Sequence, residues 1–443
     1  MNHSYAKELA SYLLERWEDS EFPDLKDSFG CRLNDPLPEP STLEHLISSC
    51  YQASLLREEG RPVRFRLILR EPHCFSGEDG PPTGIHRLMF SEPLPFDENE
   101  LLRLSPAADF YRSLVGVRSS EAAGLQIWGM VHSGSRWVQN IYGGRLIAPP
   151  LPFSLVICVT DPGRITICKG SLTIATLNRG QIVSPSKEVF DSAWLPASFA
   201  AVRTKLLDLH AACRDRADKP WATLDPYVVK TIAQQVVRRI ISSVRNSGHG
   251  GTILIIPPEL ESQVCGENPY LTIKYRVTNE DTRRRFQNLI VNLMNTLAEL
   301  HGYDSPPEKL VGWEEYVASN HESIVRLDEA IFGLAHLFAD LTSVDGAVVF
   351  TGGFELLGFG AEISGELERV TTVARALDIE GMRTEQIYAE KFGTRHRSVF
   401  RICNAFHKVL GLVISQDRLV RFVKWKNGKV TYWNHVATSI LDF

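Results

Sequence analysis

The chain has 443 residues, more than one ordinary hydrophobic core organises, which predicts roughly two or three domains. Hydrophobic residues make up 44% and charged residues 23%, a globular composition that excludes disordered, collagen-like and coiled-coil proteins. The 48 Lys and Arg against 53 Asp and Glu give a net charge of −5, which argues against a protein that binds nucleic acid over its whole length.

The N-terminus predicts an amphipathic helix, because Leu9, Leu13 and Trp17 follow helical spacing without the apolar core of a signal peptide. No run of the chain approaches the ~20 apolar residues that cross a bilayer. The eight cysteines form no C-x-x-C pair, and their scatter favours buried thiols in a reducing compartment over a disulfide framework. We therefore expect a cytoplasmic protein without membrane partners.

Strand signals dominate the next part of the chain. The stretch 125–131 is apolar enough for a buried strand, and 153–177 predicts a meander with a turn at Asp161-Pro162-Gly163. A helix follows, with Asp225-Pro226 as its start signal and apolar residues at helical spacing as far as Val244.

The glycine-rich turn 248–251 separates this helix from a short buried strand. Its glycines either end the helix or let a ligand approach the backbone, and the first interpretation is favoured because no Walker or Rossmann pattern accompanies them. A further helix covers 286–300, and the polar, proline-containing stretch 301–309 predicts a domain boundary. We expect an N-terminal region 1–310, divisible near 190–225, and a C-terminal domain 311–443.

In the C-terminal domain a helix precedes the strand 344–350, and Asp345 stands at the start of that strand. A carboxylate at a strand end is able to hold Mg²⁺, which takes one or two carboxylates together with phosphate oxygens. The small residues Gly346 and Ala347 leave room for a nucleotide against the backbone. The alternative is that Asp345 only caps the turn after the helix.

Positive charge concentrates at the same end of the chain. Residues 391–435 carry ten Lys and Arg and one acid, so 10 − 1 = +9, which predicts an anionic ligand or a solvated basic surface. A helix start with Thr394 as its N-cap offers backbone N–H groups and guanidinium groups to a triphosphate. The polar residues proposed to contact this anion, at the helix start and after the next buried strand, are Gly393, Thr394, Arg395, His396, Arg397, Ser398, Ser415 and Arg418.

Two of these segments resemble known motifs. VDGAVVF at 344–350 and GTRHRS at 393–398 are similar to the Asp-Gly-Ala and Arg-His-Arg motifs of the diadenylate cyclase (DAC) catalytic domain, in the right order and within about the last 120 residues. The resemblance implies a mixed α/β fold, in which a DAC-type domain with a central mixed sheet flanked by helices follows an α+β sensor region.

The resemblance also implies an activity, the condensation of two ATP into cyclic di-AMP with release of two pyrophosphates by two protomers that meet face to face. The protein would thus be a homodimer or a higher homo-oligomer. Asp345 would hold Mg²⁺ or Mn²⁺ and activate the 3′-hydroxyl. Arg395, His396 and Arg397 would act on the phosphates, and ATP would be bound by Gly346, Ala347, Gly393, Thr394, Ser398, Ser415 and Arg418.

The sequence departs from the family pattern in three places, one of which is Ser398-Val399 after the Arg-His-Arg motif, where the family usually has small residues. Asp345 and His396 are 396 − 345 = 51 residues apart, and the extra stretch 362–386 is interpreted as a lid or a dimer contact. Gln416-Asp417 replaces a glutamate frequent in the family. The alternatives are therefore a catalytically silent nucleotide-binding sensor and, in a third class, a scaffold whose basic end with its aromatic residues binds nucleic acid. Alternating strand spacing argues against the scaffold, because it places those aromatics in the core.

The N-terminal region resembles the probable sensor region of a group of bacterial DAC proteins (DACNV-like). The similar stretches are 102–117, 125–134 and 248–260. The resemblance implies regulation of the cyclase by a sensed ligand, and the sequence does not identify that ligand.

Overall fold

The computed structural model describes residues 5–17, 35–75, 80, 85–120, 124–134, 151–170, 172–178, 180–183, 189–265, 270–302, 309–416 and 419–435. These residues form two compact units, the first from the described residues up to 183 and the second from 189–435. Within the described ranges, no helix is both long and apolar enough to cross a membrane.

The first unit combines helices with an eight-stranded sheet. Its helices are α1 (Ala6–Leu14), α2 (Pro40–Leu55) and α3 (Glu98–Leu104). A small hairpin consists of β1 (Arg57–Glu58) and β2 (Arg61–Pro62). The strands of the large sheet are β3 (Phe65–Leu69), β4 (His86–Pro95), β5 (Ser113–Ser120), β6 (Gly124–His132), β7 (Leu155–Asp161), β8 (Arg164–Lys169), β9 (Leu172–Asn178) and β10 (Gln181–Val183).

The large sheet has the order β10-β9-β8-β7-β3-β5-β6-β4, in which only the β3–β5 pair is parallel. The predicted meander is confirmed as β7, β8 and β9, with Gly163 at φ +70° in the first turn. Apolar side chains of α1, α2 and α3 pack with one face of this sheet, which gives the unit its main core.

The opposite face of this sheet buries polar groups. Arg66 is fully buried, and Cys158 lies directly across from it on β7. Burial lowers the pKa of the Arg66 guanidinium to about 10. The expectation of free buried thiols is confirmed for Cys158 and for Cys50, Cys168 and Cys403. It is wrong for Cys213, which is free but exposed, and for Cys74, which is disulfide-bonded.

The second unit has a nine-stranded sheet. The helices of this unit are α4 (Trp194–Ala197), α5 (Ala200–Arg214), α6 (Tyr227–Ser247), α7 (Glu261–Cys265), α8 (Glu280–Arg283), α9 (Arg285–Leu300), α10 (Trp313–Ala318), α11 (Glu322–Leu341) and α12 (Thr394–Ala405). The strands are β11 (Gly251–Ile256), β12 (Leu271–Arg276), β13 (Ala347–Thr351), β14 (Leu356–Ile363), β15 (Thr372–Ala376), β16 (Thr384–Tyr388), β17 (Leu410–Ile414), β18 (Val420–Lys426) and β19 (Lys429–His435).

The sheet of the second unit is mixed and has the order β12-β14-β13-β11-β17-β18-β19-β15-β16. The interior strand β11 runs parallel to β13 and antiparallel to β17. The predicted Asn427-Gly428 hairpin joins β18 and β19, and both residues take the positive φ that a two-residue hairpin turn requires.

Helices cover both faces of this sheet. Ile253 of β11 belongs to a core shared with α6, α9 and α11, whereas Leu254 of the same strand belongs to a core shared with α12. This alternation is what a strand buried on both faces requires, and it explains why β11, β13 and β17 are apolar at nearly every position. The mixed α/β fold expected from the sequence, with a sheet flanked by helices, is confirmed.

Two expectations about organisation differ from the structure. The boundary expected at 310 falls inside the second unit, because β11 and β12, which precede it, are paired with β13, β14 and β17, which follow it. The polar stretch 301–309, of which 303–308 lie outside the described residues, therefore does not mark a boundary between the two units. The stretch 362–386 contributes β15 and part of β16 to the sheet, so it is not a lid separate from the fold, whereas its expected part in a dimer contact stays a prediction.

Candidate functional site

Three strand ends meet at one edge of the nine-stranded sheet. Because β11 and β13 are parallel and β17 is antiparallel to both, the starts of the first two strands and the end of the third lie at the same edge. Gly251 is paired with Ile414, and the register of β11 with β13, extended by two residues, sets Gly251 beside Gly346. Neighbouring strands are about 5 Å apart, so these three residues span about 10 Å.

Asp345 stands at this edge in the turn between α11 and β13. The helix ends at Thr342, whose hydroxyl donates to the Ala339 carbonyl at 2.7 Å. The Asp345 side chain is exposed, and its Oδ1 accepts from the Gly346 N–H at 3.1 Å. Among the described residues no donor contacts its Oδ2, so this oxygen is able to face a cation or a substrate.

Gly346 and Ala347 bring β13 close to β14. Gly346 has φ +110°, and a Cβ at this position would lie 2.7 Å from the carbonyl carbon of Gly360. Only glycine adopts this positive φ without strain and also leaves room for the Gly360 backbone. Ala347 is buried and paired with Ala361, so it lines the sheet beneath the turn rather than the open surface.

Gly250 is the point at which the basic helix start reaches the sheet edge. It has φ +67°, and a Cβ there would lie 2.7 Å from Arg395 Nη1 and 2.6 Å from the Ile414 carbonyl oxygen. Arg395 is half-buried at this position. The sequence predicted correctly that Gly248 ends α6, since Gly248 is its left-handed C-cap. It missed that the same turn makes room for a guanidinium group.

The helix start itself is more open than predicted. Gly393, and not Thr394, is the N-cap of α12, and no side chain caps the helix. The wrong prediction followed from the preference of threonine for this position, but here the hydroxyl lies one residue too late to accept from the second or third helical N–H. Thr394 and Arg397 are exposed, with 3.5 Å between the hydroxyl and Nη2. The first-turn N–H groups thus remain available to an anion.

His396 does not lie with the two arginines. It is 7% exposed, and its Nε2 accepts from Arg421 Nη1 at 2.7 Å. Burial, the Arg421 charge and the Arg395 charge lower the pKa of His396 to about 4, so the ring is neutral at pH 7. Phe392 and Phe400 flank the ring. His396 therefore positions α12 on the sheet, and the charge at the helix start comes from Arg395 and Arg397.

The remaining residues predicted to bind ATP are Ser398, Ser415 and Arg418, and each has a different location. Ser398 is half-buried in the first turns of α12. Ser415 follows β17 at the correct sheet edge, but its hydroxyl donates to the Leu419 carbonyl at 3.3 Å and accepts from the Leu419 N–H at 3.2 Å. It closes the loop that follows β17. Arg418 lies outside the described residues.

Metal binding at this edge would depend on one carboxylate. Within the part of the chain that the structure describes, no group of three or more His, Cys, Asp or Glu side chains could hold a metal ion. Asp345 alone fits a different kind of site, in which Mg²⁺ or Mn²⁺ shares one carboxylate and the phosphate oxygens of a nucleotide. The exposed Oδ2 of Asp345 and the nearby arginines suit that arrangement.

Comparison with known proteins concerns only the first unit. No curated protein matches the chain. Of the stretches predicted to resemble a sensor region, 102–117 lies within a match to a family model and 125–134 lies within it as far as residue 132. The third stretch, 248–260, lies outside the match and contains β11 of the second unit. The matching family model covers residues 32–132 and describes a probable sensor domain, DACNV.

Proposed function

We propose that the protein is a diadenylate cyclase whose activity is regulated by the region that matches the sensor-domain family. The observation that carries the proposal is the meeting of Asp345, the Gly250–Arg395 contact and the end of β17 at one sheet edge. Asp345 and Arg395, 395 − 345 = 50 positions apart in the sequence, would thereby present a carboxylate and a guanidinium-rich helix start to the same nucleotide. The sensor-domain match supports the regulatory part, since that family is typical of diadenylate cyclase-associated proteins.

The reaction joins two ATP molecules. The 3′-hydroxyl oxygen of each attacks the α-phosphorus of the other, two P–O bonds to pyrophosphate break, and each hydroxyl loses its proton. Such in-line transfer requires positioning and charge neutralisation rather than covalent catalysis. Arg395, Arg397 and the N–H groups of the first turn of α12 would hold the triphosphate. The Asp345 carboxylate would hold the metal and orient the attacking hydroxyl, and the metal would offset phosphate charge.

One protomer offers one such set of groups. Ring closure needs two nucleotides with each 3′-hydroxyl aimed at the other α-phosphorus, so two copies of this edge must face each other. Activity is therefore expected to rise more steeply than linearly with protein concentration until the catalytic pair is saturated.

The test is product formation by the purified full chain with ATP and Mn²⁺ or Mg²⁺, resolved chromatographically. Wild type is expected to form cyclic di-AMP and pyrophosphate, and Asp345→Asn is expected to lose at least about 100-fold in rate, because it removes a charge that acts on the reacting centre. Glu329→Gln, an exposed charge change on α11, is the matched control and is expected to retain full activity. Circular dichroism should show that both variants fold.

A catalytically silent nucleotide-binding sensor is the second candidate. The engagement of the Ser415 hydroxyl with Leu419 and of His396 with Arg421 favours it, because neither group is then aimed at a phosphate. Calorimetric ATP binding without cyclic di-AMP, across several divalent metals and at high protein concentration, would replace the cyclase proposal by this one. Absence of both binding and product would remove both.

A further inference from the structure

A cavity lies at the edge of the nine-stranded sheet opposite the candidate nucleotide site. It occupies about 530 Å³ where β11 and β13 end and β17 begins. Pro257, Gly352 and Leu410 line it from these strands, and α5 covers it with Val202 and Lys205. From Gly251 to Ile256 the strand rises about 17 Å, so this cavity is separate from the candidate nucleotide site.

A smaller, apolar compartment of about 80 Å³ adjoins the cavity. The two share lining residues, among them Phe199, Val202 and Leu410. The other walls of the smaller compartment are largely apolar and include the aromatic rings of Phe286, Phe354 and Phe422. A ligand able to fill both compartments must therefore have an apolar part and a part that tolerates a polar mouth.

The carboxylates at the mouth are already paired. Glu355 lies within 3.8 Å of Lys205 and within 3.4 Å of both Arg283 and Arg284. Glu259 and Glu261 also face cations, and Glu259 pairs with Lys408 at 2.9 Å. An incoming anion would thus meet no uncompensated negative charge from these side chains.

Unlike the carboxylates at the mouth, Lys424 is not part of an ion pair among the described residues. Lys424 lines the cavity from β18. Its Nζ donates to the Ser198 hydroxyl at 2.7 Å and lies 5.6 Å from the centre of the Trp194 ring. Within the described residues no carboxylate lies within ion-pair distance of this ammonium group. A half-buried cation beside an apolar compartment, which among the described residues donates to one hydroxyl, is suited to receive an anion.

We propose that this cavity binds a small amphipathic organic anion, whose carboxylate, sulfonate or phosphate contacts Lys424 and whose apolar part enters the compartment walled by Phe286, Phe354 and Phe422. The proposal does not depend on the cyclase activity. It places a second ligand site on the second unit, at the far ends of the same strands that carry the candidate nucleotide site.

The test uses two fluorescent probes of similar apolar bulk with the native full chain. The anionic 8-anilinonaphthalene-1-sulfonate is expected to bind saturably, and Lys424→Met is expected to weaken it about 10-fold, as for loss of a charged hydrogen bond. The uncharged N-phenyl-1-naphthylamine is expected to bind wild type and Lys424→Met alike. Lys426→Met is the matched control, because Lys426 lies two residues on, faces Glu380 and does not line the cavity.

Two further variants make the result decisive. Lys424→Arg keeps the charge and is expected to retain binding of the sulfonate, whereas Val202→Trp narrows both compartments and is expected to weaken both probes. ATP, which would occupy the other edge, is expected not to displace either probe. Equal sulfonate affinity in wild type and Lys424→Met, or no effect of Val202→Trp on either probe, would overturn the proposal.

Discussion

Lowering the pH should destabilise the second unit through His396. The ring is buried between Phe392 and Phe400 and accepts a hydrogen bond from Arg421, an arrangement that requires a neutral imidazole. Its pKa is about 4 in the folded protein against an ordinary 6.5. As the pH falls, the unfolded chain binds the proton first, so the stability present above about pH 6.5 is lost progressively down to about pH 4.

The size of the effect follows from the two pKa values. At about 1.4 kcal/mol per pKa unit, the difference between 6.5 and about 4 gives a limit of about 3 kcal/mol. Proton linkage between pH 7 and pH 5 then removes about 2 kcal/mol of this contribution. His396→Gln is the perturbation that isolates it, since a glutamine oxygen still accepts from Arg421 but does not titrate.

Hydrogen-exchange mass spectrometry of peptides from 394–405 measures this loss within the second unit alone. After correction for intrinsic exchange, the free energy of opening should fall by about 2 kcal/mol more in wild type than in His396→Gln between pH 7 and pH 5. The comparison cancels the other histidines, which both proteins share. Equal pH dependence in the two proteins would mean that His396 is protonated without penalty, and the assignment of a neutral positioning role would be wrong.

The other predictions concern glycines. Gly250→Ala should lower the free energy of unfolding of the second unit by about 1–3 kcal/mol more than Gly248→Ala, because both residues have positive φ but only Gly250 has Arg395 and Ile414 against its missing Cβ. Urea titration measures it, and equal losses would contradict the contact. In the first unit, Gly116→Ala should cost about 1–3 kcal/mol, because its methyl group would overlap the Trp128 indole. Hydrogen exchange should show the lower free energy of opening in peptides of the first unit, while peptides from 394–405 in the second unit keep their value and serve as the internal control. A lower value in both units would contradict this prediction.

Local signals in the sequence predicted the elements of the second unit well. The apolar residues at helical spacing in α6, α9 and α11 are buried, because a helix on a sheet has to turn one stripe inward. The hairpin at 427–428 was predictable from its residue types alone. That the chain around 310 lies inside one unit was not predictable from the sequence. The pairing of β11 with β17 joins residues about 160 positions apart, and no local sequence pattern indicates it.

The candidate site shows the same division between local and distant information. Asp345 at a strand start and two arginines at a helix start were found from residue type and order. The burial of His396 was also predictable from the sequence, because His396 continues the apolar face of Val399, Phe400 and Cys403 at helical spacing. Its partner Arg421 was not, because only the pairing of β18 with β17 places that strand under α12.

The difference between Arg395 and His396 indicates how such a helix start is built. Successive residues on a helix point about 100° apart, so one of them anchors α12 to the sheet while its neighbours face the strand ends. The neutral histidine and the Arg421 guanidinium then support the helix from beneath, and the Gly250 turn limits where Arg395 is able to go. The positive charge at this edge thus comes from Arg395, which the Gly250 turn confines, and from the exposed Arg397. A substitution at His396 that keeps a neutral acceptor should therefore disturb nucleotide binding less than one that removes Arg395, although the two residues are adjacent in the chain.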